Sequence, residues 1–295
     1  MSMSRVSDEL VRTVSREGGL SVRTLVATGL VADAARRHGT APTATAALGR
    51  TLMGAILLAT GSKDDETLQI QVRGSGELGT VMAIADATGR VRGYAANPAA
   101  HRPLRGGKLD VGGVVGLGVL AVVRYHPSWR EPYSGIVPLV SGEIAEDLAH
   151  YLLESEQTPS ALALGVYVGA DGTPEAAGGY LVQALPGASE AELDELAATI
   201  AALPPPTELV RAGLSADDLL DRLLGGDRSR PRQRIQPCFA CSCNLERIQQ
   251  AVMLLGREET REIAASGETL SIRCEFCGEV YALAPEAVAA LSPDT

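Results

Sequence analysis

No cysteine occurs in the first 237 residues of this 295-residue chain, aromatic residues make up 3% of it, and basic charge is in deficit. The deficit argues against a polyanion-wrapping role. Lys and Arg total 26 against 36 Asp and Glu, a net charge of −10, whereas phosphate binding needs cations in surplus. Clean apolar runs of membrane length are missing as well. The two most apolar stretches, 44–60 and 111–123, are broken by Arg50 or by four glycines and fall short of the ~20 residues a bilayer-spanning helix needs. No apolar core follows a basic start at the N-terminus, so no secretory signal is read there and a cytoplasmic location is expected. Catalytic groupings are equally scarce. His38, His101, His126 and His150 have no metal-ligand spacing, and neither Ser134 nor Ser141 sits in a Gly-x-Ser-x-Gly elbow, so a non-enzyme is expected.

What is present is the balance of a soluble globular protein, 45% apolar and 21% charged. At about 150 residues per domain the length points to two domains. Residues 1–180 read as one large α/β body. Leu68, Ile70 and Val72 alternate with polar neighbours, the period of a half-buried strand over 68–73, and further strands are predicted at 80–86, 119–124 and 161–168. Helices are predicted at 43–60 and 141–155, the second from an apolar stripe of Ile144, Leu148, Tyr151 and Leu152. Gly74-Ser-Gly-Glu-Leu-Gly79 has the letters of a dinucleotide-binding fingerprint. It leads into a strand rather than a helix, however, and no acidic residue lies about 20 positions on, so it is read as a turn.

Residues 181–237 contain neither aromatics nor cysteines. Ser189 and Glu192 have capping-box spacing, and Leu193, Leu196, Ala197, Ile200 and Leu203 follow as a helical stripe that Pro204-Pro205-Pro206 stops. Ser215 opens a second helix carrying Leu219, Leu220, Leu223 and Leu224, closed by Gly225-Gly226. Helices this short are held by docking rather than by propensity, so the segment reads as a linker that is ordered only while something holds it. Arg228, Arg230, Arg232 and Arg234 then alternate. A nucleic-acid arm is one reading of them; a solvated linker or a contact to the acidic body is the favoured one.

All five cysteines fall in residues 238–295. Where thiols are kept reduced, clustered cysteines bind a metal or do redox chemistry. Cys274-Glu-Phe-Cys277-Gly278, between two short predicted strands, is a zinc-knuckle turn. Cys238-Phe-Ala-Cys241-Ser-Cys243 offers three thiols for the two remaining places. Spacing alone favours the Cys-x-x-Cys pair of Cys238 and Cys241 over the rarer Cys-x-Cys of Cys241 and Cys243. Asn244 is placed to cap a helix with Ile248, Ala251, Val252 and Leu255, ended by Gly256. A piece of this size cannot supply much core and needs a metal or a crosslink. It is then either a static zinc ribbon or a fold switch. Oxidised thiolates no longer ligate zinc, and metal binding worth roughly 10–16 kcal/mol stops supporting the domain.

With these motifs in view, the chain resembles the redox-regulated holdase chaperones of the 33-kilodalton heat-shock protein (33 kDa chaperonin) family. Cys241-Ser-Cys243 and Cys274-Glu-Phe-Cys277 match the family's Cys-x-Cys and Cys-x-x-Cys pattern. In the body, 47–53, 74–79, 92–98, 130–138, 155–160 and 178–183 look like the family, so the resemblance runs nearly end to end. It implies an α+β protein. Residues 1–180 would be the substrate-binding chaperone body, 181–237 a metastable helical linker and 238–295 a zinc-binding redox switch. It also implies zinc ligation by Cys241, Cys243, Cys274 and Cys277, leaving out Cys238, and on oxidation the disulfides Cys241–Cys243 and Cys274–Cys277. The implied partners are unfolded or oxidatively damaged proteins, with a monomer when reduced and a dimer when oxidised, and neither nucleic acid nor membrane. A nucleic-acid-binding zinc-ribbon protein is the rival reading.

Overall fold

The computed structural model describes residues 6–62 and 65–291. By contact the chain separates into two compact units, the first ending at Phe239 and the second starting at Ala240. In the first unit β1 (Glu9–Val14) and β2 (Leu20–Val26) are followed by α1 (Thr28–His38), α2 (Pro42–Ala59), β3 (Thr67–Gly74), β4 (Thr80–Asp86) and β5 (Arg90–Ala95). Then come α3 (Val111–Val115), β6 (Gly118–Tyr125), β7 (Tyr133–Pro138), α4 (Ala145–Glu154), β8 (Ser160–Val168) and β9 (Pro174–Ala184). Three helices, α5 (Glu190–Ala202), α6 (Pro206–Arg211) and α7 (Ala216–Leu223), precede the short strands β10 (Gln233–Ile235) and β11 (Cys238–Phe239). The second unit holds α8 (Leu245–Met253), α9 (Arg257–Ala265), β12 (Leu270–Arg273), β13 (Val280–Leu283) and α10 (Pro285–Ala290). The mixed α+β class expected from the sequence is what the chain adopts.

Two sheets organise the first unit. One has the order β10-β1-β2-β9-β8 and is antiparallel throughout; the other has the order β11-β5-β4-β3-β6-β7, antiparallel except where β11 runs parallel to β5. Helix α2 packs against both sheets. Its Leu48, Leu52, Met53, Ile56 and Leu57 are buried with Leu68, Ile70 and Val72 of β3 and Leu181 of β9. A helix apolar all round belongs in a core. By length and composition α2 does match a membrane span, contrary to the sequence reading, but 89% of it is buried inside the protein, so its apolar surface serves the core.

The first sheet is covered on both faces. While α2 takes one, α6 and α7 take the other: Leu209, Val210, Leu219, Leu220 and Leu223 are buried against Val11, Val22, Val26, Tyr180 and Val182. Close approach is built in at Gly165 of β8, where an added Cβ would lie 2.6 Å from the Thr207 methyl of α6. Helix α5 differs, because none of its residues is buried and only Leu196 and Ile200 touch the same cluster partly. Behind α7 the arginine run forms a latch. Arg232, with 9% of its side chain exposed, pairs with Asp217 at 2.7 Å and Asp221 at 2.5 Å, and Arg234 pairs with Asp217 and Glu9. Burial alone would raise the Asp217 and Asp221 carboxyls, yet the arginine hydrogen bonds and charges outweigh it and hold both low. Arg228 and Arg232 are thus contacts within the linker, to Asp217 and Asp221 of α7, whereas Arg234 also reaches Glu9 of the body and Arg230 the Arg16 carbonyl.

Three local outcomes differ from the sequence reading. The helix expected from residue 141 starts at Ala145, because the carboxylate of buried Asp147 accepts the backbone N–H groups of Val140, Ser141, Gly142 and Ile144 and wraps that segment into a nest. The triple proline stops α5 and also starts α6, with Pro206 at the first helical position, where a missing N–H costs nothing. Strand β9 runs to Ala184, past residue 180. The glycine motif is a turn as read, and its glycines let backbones touch. Cβ atoms on Gly74 and Gly76 would fall 1.9 and 2.2 Å from the Val115 and Val114 carbonyl oxygens, which instead accept the N–H groups of Gly76 and Leu78.

Candidate metal centre

In the second unit β12 and β13 pair antiparallel with Arg273 opposite Val280, and the turn between them carries Cys274 and Cys277. The turn closes through Cys274 N–H to Glu279 O at 2.8 Å and Gly278 N–H to Cys274 O at 2.8 Å, with Gly278 at φ +75°, a left-handed position that suits glycine. Cys241 and Cys243 lie just before α8, whose N-cap Asn244 accepts the Arg247 N–H at 2.8 Å as expected. The fold brings the four sulfurs of Cys241, Cys243, Cys274 and Cys277 within 4.8 Å of one another. Cys241 and Cys274 are 3.9 Å apart, Cys243 and Cys277 3.3 Å. A tetrahedral site with Zn–S bonds of about 2.3 Å has edges of about 3.8 Å, so the spacing suits such an ion, and an all-sulfur donor set suits zinc.

Cys238, which spacing alone would have paired with Cys241, lies elsewhere. It is exposed on β11 in the first unit, opposite Arg90 of β5, with its N–H bonded to the Gly89 carbonyl at 3.1 Å. Beside it Phe239 meets His38 edge-on and lies under the Arg37 guanidinium at 5.1 Å.

The electrostatics are those of thiols crowded without a countercharge. Burial pushes the Cys241 and Cys277 thiols up. Burial acts on Cys243 in the same sense, but hydrogen bonds from the Tyr281 hydroxyl, at 3.2 Å, and from the neighbouring thiols outweigh it and hold Cys243 below the ordinary thiol value. Four sulfurs this close cannot all ionise unless a cation is added, and a divalent ion reverses the balance. Tyr281 escaped the sequence reading. Its place four residues after Cys277, on the strand returning from the turn, was the one available signal.

Fold and centre together define a two-unit α+β protein with a cluster of four cysteines close enough to hold a metal ion. A family model described as Hsp33 protein matches residues 8–284. The chain is 44% identical over 278 residues to the 33 kDa chaperonin of Geobacter sulfurreducens, covering 94% of this chain and 92% of that protein. It is 45% identical over 295 residues to a 33 kDa chaperonin of Thermus thermophilus, covering 96% and 86%. The crystal structure of the 33 kDa chaperonin from Thermotoga maritima is similar with a TM-score of 0.90 at 31% identity, covering 96% of this chain and 97% of that one. The chain belongs to the Hsp33 family.

Proposed function

We propose that this protein is a redox-regulated, ATP-independent holdase, inactive when reduced and zinc-bound, and active when oxidised. The names of its relatives support a chaperone role and a non-enzyme. The observation that carries the regulation is the convergence of four thiols in a unit whose buried apolar cluster is Val252, Leu283 and Val288. Cys241, Cys243, Cys274 and Cys277 are the zinc ligands. When bound, the ion keeps the sulfurs as thiolates and ties the segment before α8 to the β12–β13 turn. Oxidation joins Cys241 to Cys243 and Cys274 to Cys277; each pair of thiolates gives up two electrons to one hydrogen peroxide, which takes two protons from solvent and leaves as two waters. Disulfide sulfurs no longer act as thiolate donors, so the centre loses its hold on the ion.

The first unit supplies the response. The linker, residues 181–237, continues through β10 and β11 to Phe239, one residue before the second unit, so disorder in residues 238–295 reaches the arginine latch through the chain itself. Without the latch α5, α6 and α7 leave the sheet, and Val11, Val22, Val26 and Tyr180 become an apolar face for unfolded or oxidatively damaged clients on the body, residues 1–180. The released face also suits a dimer of the oxidised form, against a reduced monomer, in the cytoplasm and without a membrane. Arg228, Arg232 and Arg234 are engaged with Asp217, Asp221 and Glu9, which weighs against the nucleic-acid reading.

Two outcomes are expected. Peroxide treatment should turn on suppression of a client's aggregation, and peptide mapping should recover Cys241–Cys243 and Cys274–Cys277; dominant links between the two motifs would refute the pairing. Cys238→Ser should retain one zinc per chain in a metal-release assay while Cys243→Ser loses it. The opposite pattern would assign the site to Cys238 and Cys241.

A further inference from the structure

The first unit has a cleft of about 650 Å³, in the range of small-molecule sites, that the redox reading does not use. Strand β8 forms one side with Leu164 and Val166, the loop before α3 another with Leu104 and Leu109, and α6 closes it with Thr207 and Arg211. Leu104 is 63% exposed, so an apolar side chain waits in solvent at this cleft. Its charge runs against that of the chain. Arg50, Lys108 and Arg211 line it against the single carboxylate of Glu208, in a protein of net charge −10.

Two of these cations are not spent on neighbours. Lys108 and Arg211 form no ion pair among the described residues, and the Arg211 guanidinium is held over the Tyr167 ring at 3.9 Å, a contact that orients it and leaves its N–H edges free. Arg50 binds Glu143 through one nitrogen, but its buried Nε has no partner. A buried donor left unsatisfied calls for an acceptor, and a cationic, apolar-walled hollow gives both parts of one ligand a place.

We propose that this cleft binds a small amphiphilic anion, an anionic head on an aliphatic body, with the head at Lys108 and Arg211. Such a ligand would bridge β8 and α6; resting on the reading of α6 as part of the releasable linker, it would favour the docked state by binding it preferentially. The binding itself can be tested apart from that reading, by calorimetry on the reduced full-length protein with decanoate, decyl phosphate and neutral decanol. One site per chain is expected for an anionic probe, with the tighter of the two anions naming the head, and decanol weaker. Lys108→Ala with Arg211→Ala, both exposed, should weaken the anion by about tenfold or more while leaving decanol unchanged. Decanol binding as tightly as the anions, an unchanged affinity in the double variant, or no binding of either anion would overturn the proposal. Should binding hold while peroxide activation is unaffected by the ligand, the site stands and its coupling to α6 falls.

Discussion

Chelating zinc from the reduced protein is expected to unfold residues 240–291 and loosen the linker while the body, residues 6–180, stays folded. The second unit has little else to hold it. Its buried apolar cluster is small, and Leu254 is 87% exposed with Leu255, Met253 and Val280 also in solvent. Burying a side chain of that size contributes about 1.5–3 kcal/mol, and three of them make a small core for a unit of this length. Metal binding of about 10–16 kcal/mol exceeds what those three side chains contribute. The first unit, by contrast, has the α2 core between its sheets and should keep its own thermal transition. Hydrogen exchange before and after chelation reads both units at once. Persistent protection of α8 and α9 in protein verified to be metal-free would mean that the thiol centre does not hold this fold together.

Leu220→Gly should switch on aggregation suppression in the reduced, zinc-loaded protein. Leu220 is fully buried between α7 and the outer face of the first sheet. Truncating a buried leucine costs about 2–5 kcal/mol, and glycine inside a helix about 1 kcal/mol more. Both losses fall on the docked state, since a released helix buries nothing. Leu196→Gly should do less, because α5 has no buried residue to lose. Gly165→Val attacks the same docking from the strand side, where a new Cβ meets the Thr207 methyl, and should give the same phenotype without touching a helix. Exchange over 206–223 should rise with activity in both variants. If the segment opens and no client is held, the covered sheet face is not the client surface.

The elements legible in the sequence are those whose pattern is local. Strand β3 shows its alternation, α2 its apolar face, and the Cys274–Cys277 turn its glycine. Strands β1, β2 and β9 are not legible because both faces of that sheet are covered, which erases alternation and buries even Arg23 and Thr24 of β2. The start of α4 departs from its apolar stripe because a buried carboxylate draws the preceding backbone N–H groups around itself. Among the thiols, the choice between Cys238 and Cys243 cannot be made from spacing. It depends on Cys238 being drawn into a strand beside Arg90, nearly 150 positions earlier in the chain.

The pairing of β10 with β1 sets a timetable for synthesis. Arg12 finds Gln233 across 221 positions, so the outer edge of the first strand stays open until nearly the whole chain has left the ribosome. At about 5–20 residues per second that is a wait of roughly 10–45 s. Throughout it the nascent body presents a strand edge with unpaired N–H and C=O groups, the kind of surface that recruits other strands. A protein proposed to shield exposed chains is thus born with the same vulnerability, and the last stretch before its cysteines is what closes it.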